Sequence, residues 1–121
     1  ACYSGGFIPA LQGERTWVIT AARADRSSFG CADGNDFTYF GRALFKESLP
    51  GADTLSAAVE RAMRKVQDWE ARDGAKAGPA KPREDTEAEA ARHSEPQSVV
   101  APGFRAEVDA WFKAHPAVAG R

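Results

Sequence analysis

The stretch TWVITAA at residues 16–22 decides the fold class of this chain. It is a short apolar run with β-branched residues, preceded by the polar QGER and followed by the charged RADR, which is typical of a buried strand in an α/β sheet. The next stretch, ADRSSFGCADGND at residues 24–36, is rich in Ser, Gly and Asp and predicts a loop at the carboxyl end of that strand. Because ligands bind at this edge of open α/β sheets, we expect the loop to contribute to a site.

Upstream of the strand, the sequence ACYSGGF at residues 1–7 has a cysteine close to two glycines. A nucleophilic thiol requires an exposed turn, backbone N–H groups that can hold an oxyanion, and a following helix that lowers the thiol pKa. Cys2, followed by Gly5 and Gly6, fits this pattern, although a lone cysteine is also typical of a small buried apolar residue. Three apolar residues after the turn have the spacing of a short helix: Phe7, Ile8 and Leu11.

Three helices are predicted downstream. The first begins after a possible N-cap at Asp36, ends at Pro50 and Gly51, and carries the following residues at helical spacing: Phe37, Phe40, Gly41, Leu44 and Phe45. The second begins near Asp53 or Thr54 and has one apolar face, formed by Leu55, Val59, Ala62, Val66 and Trp69. The last helix has a similar face, formed by Phe104, Val108, Trp111 and Phe112.

The organisation of the chain follows from where apolar residues are missing. Residues 74–97 contain no Leu, Ile, Val or aromatic residue and cannot bury enough surface to become ordered. We therefore predict a core fragment at residues 1–73, a mobile polar loop at 74–93, and an edge strand (SVV) and final helix of the same domain at 94–121. Since one good strand and one weak strand do not complete a sheet, we expect the chain to be the C-terminal part of a larger α/β domain.

Composition argues against several classes of function. Sixteen Lys and Arg residues and 17 Asp and Glu residues give a formal net charge of −1 and are mixed along the chain, so no basic stripe is available for nucleic acid. No apolar run approaches the roughly 20 residues that span a bilayer. Cys2 and Cys31 are too few for a disulfide-stapled scaffold and lack zinc-site spacing, while a single disulfide between them remains open.

Three stretches in order, ACYSGG at 1–6, TAARADRSSFGC at 20–31 and TYFGRALF at 38–45, resemble the legumain family of cysteine endopeptidases. This is family 13 of the cysteine peptidases, in the caspase-like clan, and the match looks especially like its bacterial members. SEPQ at residues 94–97 is similar to a short motif found late in those members. The resemblance implies the C-terminal part of a caspase-like three-layer α/β sandwich, with an incomplete sheet and three to four helices.

The resemblance also implies roles for individual residues. Cys2 stands at the position of the nucleophile, and Ser27 and Ser28 stand where the family lines the pocket for the residue before the cleaved bond. Tyr39 matches a nearby Thr-Tyr-x-Gly segment. The position after that glycine is acidic in the Asn-specific legumains but is Arg42 here, so Asn specificity is not carried over. By its charge, Arg42 in a pocket would favour an acidic or neutral polar substrate side chain.

The family's catalytic histidine precedes the cysteine in sequence. The only histidines here, His93 and His115, both follow Cys2, and we expect them to have surface or helix-end roles. The resemblance therefore implies a cysteine endopeptidase that cleaves peptide or protein substrates without a metal or organic cofactor. Its catalytic histidine and the rest of its catalytic domain would lie upstream, and this chain alone would be inactive.

Three alternatives remain open at this stage. A transamidase would transfer the same acyl group to an amine instead of water. A non-catalytic peptide-binding module would keep the caspase-like fold without the histidine. An unrelated α/β fragment would require four ordered motif matches to have arisen by chance.

Overall fold

The structure, a computed structural model, describes residues 3–26, 28, 36–76 and 93–116. Within these residues the chain forms four α-helices and two strands, which in sequence order are α1 (Ile8–Leu11), β1 (Val18–Thr20), α2 (Tyr39–Gly41), α3 (Leu55–Lys76), β2 (Gln97–Val99) and α4 (Pro102–Ala114). Short 3₁₀ turns at Ser4–Phe7 and Leu49–Gly51 and a π-helix at Arg42–Ser48 extend these elements. This mixture of helices and a small sheet fits part of an α/β sandwich of the expected kind.

The strand predicted from TWVITAA is confirmed, with its regular part limited to Val18–Thr20. It pairs antiparallel with β2, so that Val18 lies opposite Val99 and Thr20 opposite Gln97. Ile19 packs against the main apolar cluster, while Val18 and Thr20 are buried on the other face. Both faces of β1 are therefore covered, as expected for a strand inside a layered α/β fold.

The helix predicted from Asp36 begins later and winds differently. Its N-cap is Thr38, whose Oγ1 accepts a hydrogen bond from the Gly41 N–H at 3.2 Å. From Arg42 to Ser48 the helix is of the π type, in which N–H groups bond to carbonyls five residues back. The helical spacing predicted from the sequence is therefore wrong for Phe45, which is 63% exposed.

The apolar face predicted for α3 is confirmed. Thr54 caps this helix by accepting a hydrogen bond from the Ala57 N–H at 3.1 Å. The residues of α3 that are buried against the π-helix are Ala58, Val59, Ala62 and Val66. They meet Ala43 and Leu44, and this contact is the centre of the apolar core. The helix continues to Lys76, so it extends past Gly74, where the sequence predicts a loop to begin.

Polar contacts account for much of how residues 93–116 are held against the rest of the fold. Ser94 is buried although the surrounding sequence has no large apolar residue. The final helix α4 has no fully buried residue, and its predicted apolar face is only partly covered, because Trp111 is exposed. Polar contacts join α4 to α3: Asp109 accepts hydrogen bonds from the backbone N–H of Ser56 and from its hydroxyl.

Candidate functional site

The N-terminal turn (residues 3–6) is held against the end of β1 by backbone contacts. The Tyr3 N–H donates to the Arg26 carbonyl at 2.8 Å, and the Gly5 N–H donates to the Ala22 carbonyl at 2.8 Å. The Ala22 N–H in turn donates to Ser4 Oγ at 3.2 Å. Cys2 lies outside the described residues, but the residue after it is fixed to the residue that precedes Ser27.

The turn contains one unusual backbone conformation and one tight packing contact. Tyr3 has φ 58° and ψ 16°, the left-handed region that bulky residues rarely adopt. Gly5 is buried, and a Cβ added to it would lie 2.6 Å from the Ala24 N atom, well inside the ordinary contact distance of about 3.5–4.0 Å. Gly5 is therefore required by the packing of this turn against its own chain.

Gly6 differs from Gly5 in its surroundings. A Cβ added at Gly6 would have no atom within 4 Å, and its N–H donates to the Tyr3 carbonyl at 3.0 Å. The N–H groups of both glycines thus have acceptors within the chain. For either to hold an oxyanion, that intrachain bond would have to be exchanged for the substrate.

The loop that leaves β1 is fixed by Arg23. Its guanidinium donates to both carboxylate oxygens of Asp25 and to Glu95 Oε2, at 2.7 Å for the latter. The hydrogen bond from Arg23 holds the pKa of Asp25 down at about 2, and these two carboxylates raise the pKa of Arg23. Ser28, the described member of the serine pair, is half-buried, whereas Ser27 lies outside the described residues.

Tyr39 and Arg42 lie beside the C-terminal half of α3. The Tyr39 hydroxyl donates a hydrogen bond to Asp73, and its ring meets the Trp69 ring edge-on with 5.9 Å between centroids. The hydrogen bond to Asp73, followed by burial, raises the pKa of Tyr39. The Arg42 guanidinium lies over Trp69, 5.3 Å from the ring centroid, and pairs with Glu47 at 3.3 Å.

These two residues line a shallow pocket of about 220 Å³. Its wall is formed by Tyr39, Arg42, Glu47, Lys65, Trp69 and Arg72. Three of these side chains are cationic and one is a carboxylate, so the pocket lining carries a net positive charge. The described site residues therefore lie in two places. The N-terminal turn packs against the end of β1, and Tyr39 and Arg42 pack against α3.

A buried carboxylate on α3 was not predicted from the sequence. Glu70 has a side chain only 1% exposed, and it accepts hydrogen bonds from the N–H of Ser94, at 2.9 Å, and from the Ser94 hydroxyl. The available signal was its position four residues after Val66, which places a carboxylate in line with the apolar face of the helix. Ser94 is the first residue of the SEPQ motif.

The two histidines lie at different places in the fold. His93 is half-buried, with Nδ1 3.3 Å from Glu70 Oε2. His115 follows the last residue of α4, as predicted for a helix-end role, and its ring stacks on Trp111 with 4.4 Å between centroids. Cys31 lies outside the described residues.

The part of the chain that the structure describes has neither a membrane-spanning helix nor a metal-binding cluster. No helix in this part is both long and apolar enough to cross a membrane. Nor do three or more His, Cys, Asp or Glu side chains in the described ranges converge as a metal site would require.

Comparison with known proteins assigns the class of protein. The sequence profile of the Peptidase C13 family matches residues 1–81, which include Cys2, the serine pair, Tyr39 and Arg42. Proteins of this class are cysteine peptidases, and the chain belongs to the Peptidase C13 family, the legumain family expected from its motifs. Neither the comparison with curated proteins nor that with solved structures gave a match.

Proposed function

We propose that this chain carries the nucleophile and part of the substrate pocket of a cysteine endopeptidase. The observation that supports this most directly is the 2.8 Å hydrogen bond from the Tyr3 N–H to the Arg26 carbonyl. It joins the residue after Cys2 to the residue before Ser27, so the proposed nucleophile and the proposed pocket serines belong to neighbouring segments. The left-handed conformation of Tyr3 also agrees with a sharp turn at the nucleophile, because strained backbone is concentrated at active sites.

The reaction follows the thiol chemistry of the family. The Cys2 thiolate attacks the carbonyl carbon of the scissile peptide bond, and the C–N bond breaks as the amine leaves with a proton. A thioester joins the acyl group to Cys2 until water attacks it and releases the acid and the free thiol. A histidine upstream of this chain takes the thiol proton and delivers it to the leaving amine, and the reaction needs no metal or organic cofactor.

The proposal is tested by peptide cleavage with the full-length protein. Cys2→Ala should abolish turnover and acyl-enzyme formation, whereas Cys31→Ala, the matched control, should retain both. Mass spectrometry of the products with and without an added amine separates hydrolysis from transamidation. Peptide binding without cleavage by the wild-type protein would contradict the peptidase proposal and favour a non-catalytic binding module.

We also propose that Arg42 directs specificity towards acidic or neutral polar side chains at the residue before the cleaved bond. The support is the positive charge of the pocket that Arg42 lines with Lys65 and Arg72. Arg42→Ala should reduce the preference for Asp-containing over Ala-containing peptides, measured as the ratio of their kcat/KM values. Lys46→Ala is the control, because Lys46 lies on the same π-helix but over Phe37 instead of this pocket. Equal preferences in the wild type and Arg42→Ala would refute the role.

A further inference from the structure

The contact between Glu70 and Ser94 involves a carboxylate that is almost fully buried. A carboxylate removed from water is retained only where it is paired or hydrogen-bonded. Both oxygens of Glu70 are used here, because Oε2 accepts the Ser94 N–H and Oε1 accepts the Ser94 hydroxyl. The Glu70 and Ser94 pair, which we call the Glu70–Ser94 clamp, therefore fixes the chain at residue 94 to α3 through backbone and side chain together.

The clamp continues directly to the loop that leaves β1. The Ser94 carbonyl accepts the Arg23 N–H at 2.8 Å, and the side chain of the next residue, Glu95, accepts from the Arg23 guanidinium at 2.7 Å. The Arg23 carbonyl accepts the Arg26 N–H at 3.0 Å. The SEPQ segment is thus bonded to the β1 loop at one backbone position and one side-chain position.

The last step leads to the N-terminal turn. The Arg26 carbonyl accepts the Tyr3 N–H at 2.8 Å, and Tyr3 follows Cys2 in the sequence. A continuous series of hydrogen bonds therefore runs from α3 through Ser94 and the β1 loop to the residue after the proposed nucleophile. Loosening its first contact should therefore weaken the later contacts of the series, while the turn keeps its separate bonds between Gly5 and Ala22 and between Ser4 and Ala22.

We propose that Glu70 and Ser94 are positioning residues, which hold the β1 loop and through it the turn that presents Cys2. The proposal rests on the peptidase function proposed above. It assigns a structural role to the SEPQ motif: Ser94 holds the β1 loop in place and does not contact the substrate peptide. It differs from general stabilisation because only one part of the fold should respond to its loss.

The chain contains a matched control for this distinction. Ser56 makes the same chemical contact with Asp109, donating its N–H at 3.0 Å and its hydroxyl to the two carboxylate oxygens. That pair joins the start of α3 to α4, and it is not part of the series of bonds that leads to Tyr3. Ser94→Ala and Ser56→Ala therefore each remove a hydroxyl that donates to a carboxylate, at two different places. The Asp109 carboxylate is only half-buried, and Ser56→Ala also removes the oxygen that accepts from Arg105 Nε at 2.8 Å, so the control variant loses one contact more than Ser94→Ala.

The decisive measurement is amide hydrogen exchange on the full-length protein. Ser94→Ala should accelerate exchange of the Tyr3, Arg23 and Arg26 amides about fivefold, the effect of losing one net hydrogen bond, while Ser56→Ala leaves them unchanged. If Ser94→Ala does not fold, Glu70→Gln keeps the side-chain shape with one acceptor oxygen and should loosen the same amides. Unchanged exchange at these amides in the folded variant, or equal acceleration by Ser56→Ala, would overturn the proposal.

Kinetics provide a second and separate readout. With activity normalised to the folded fraction, Ser94→Ala should lower kcat for peptide cleavage about fivefold, and Ser56→Ala should leave it at the wild-type value. Equal kcat values in the two variants would refute a positioning role in the reaction. Absence of cleavage by the wild-type protein would contradict the proposed function itself, and the exchange of the Tyr3 amide would then decide on the clamp alone.

Discussion

Substituting Gly5 by alanine should detach the N-terminal turn, whereas the same change at Gly6 should be tolerated. The new Cβ at Gly5 would lie 2.6 Å from Ala24 N, 2.9 Å from the Ala22 carbonyl oxygen and 2.9 Å from the Arg23 carbonyl carbon. All three are backbone atoms, so no side-chain rotation can relieve the overlap. Restoring ordinary contact requires a displacement of about 0.9 Å between two backbone segments.

The magnitude follows from the two ways in which the overlap can be relieved. If the segments stay together, overpacking of this kind costs about 1–3 kcal/mol. If the turn separates from β1, it loses the hydrogen bonds that join Tyr3 and Gly5 to the loop and that join Ala22 to Ser4, at about 1 kcal/mol each. The expected cost of Gly5→Ala is therefore about 2–3 kcal/mol. Gly6→Ala, with open space around its Cβ, should change stability by less than about 1 kcal/mol, in the stabilising direction.

Two measurements on the full-length protein test this prediction. Urea unfolding gives the global free energy of unfolding, and amide exchange at Tyr3 reports whether the turn has separated without global unfolding. Gly5→Ala should lower the free energy of unfolding, accelerate Tyr3 exchange, or do both, and Gly6→Ala should do neither. If Gly5→Ala matches Gly6→Ala in both measurements, the close packing of Gly5 against residues 22–24 is not what fixes the turn.

Three further predictions concern the core and the titrating groups. Leu44→Ala should lower the free energy of unfolding by about 3 kcal/mol, whereas Phe45→Ala on the exposed side of the π-helix should change it by less than about 0.5 kcal/mol; similar losses would contradict the π-helical register. Tyr39→Phe should cost about 1 kcal/mol at neutral pH. Because the folded state raises the Tyr39 pKa, this contribution is complete below about pH 10 and lost as pH rises through the folded value, so the two unfolding curves should converge in alkali. The Asp25 contribution is present above the unfolded pKa of about 3.9 and lost as pH falls through about 2, so wild type and Asp25→Asn should converge in acid; a gap that persists there would refute this pairing.

The elements with regular apolar spacing were predictable from the sequence. The predicted face of α3 and its predicted start near Asp53 or Thr54 are confirmed, because an amphipathic helix shows its buried side directly in its residue pattern. The exposure of Phe45 was not predictable, since the spacing rule assumes 3.6 residues per turn and the π-helix is wound more widely. Periodicity carries no information about a local change in winding.

The candidate site, too, could be predicted from the sequence only in part. The motifs predicted the legumain family, and the match to the Peptidase C13 family confirms that prediction. The fixed position of Ser94 could not be predicted from the sequence, because it depends on a buried carboxylate in a distant part of the chain and not on apolar residues nearby. The role of Gly5 was only partly visible, since a glycine in the sequence does not reveal whether a ligand or the chain's own backbone approaches it.

The fixing of Ser94 to Glu70 also determines where this protein can accept changes in length. The two residues are 24 positions apart in sequence, and their contact closes the intervening chain into a loop. For a flexible segment, doubling the length of such a closed loop costs only about 0.6 kcal/mol, because the entropy of closure grows with the logarithm of length. Since the sequence between residues 77 and 92 has no Leu, Ile, Val or aromatic side chain to contribute to the core, an epitope tag or a reporter peptide inserted there should leave β2 in register with β1, which makes this stretch of sequence the natural place to label the protein.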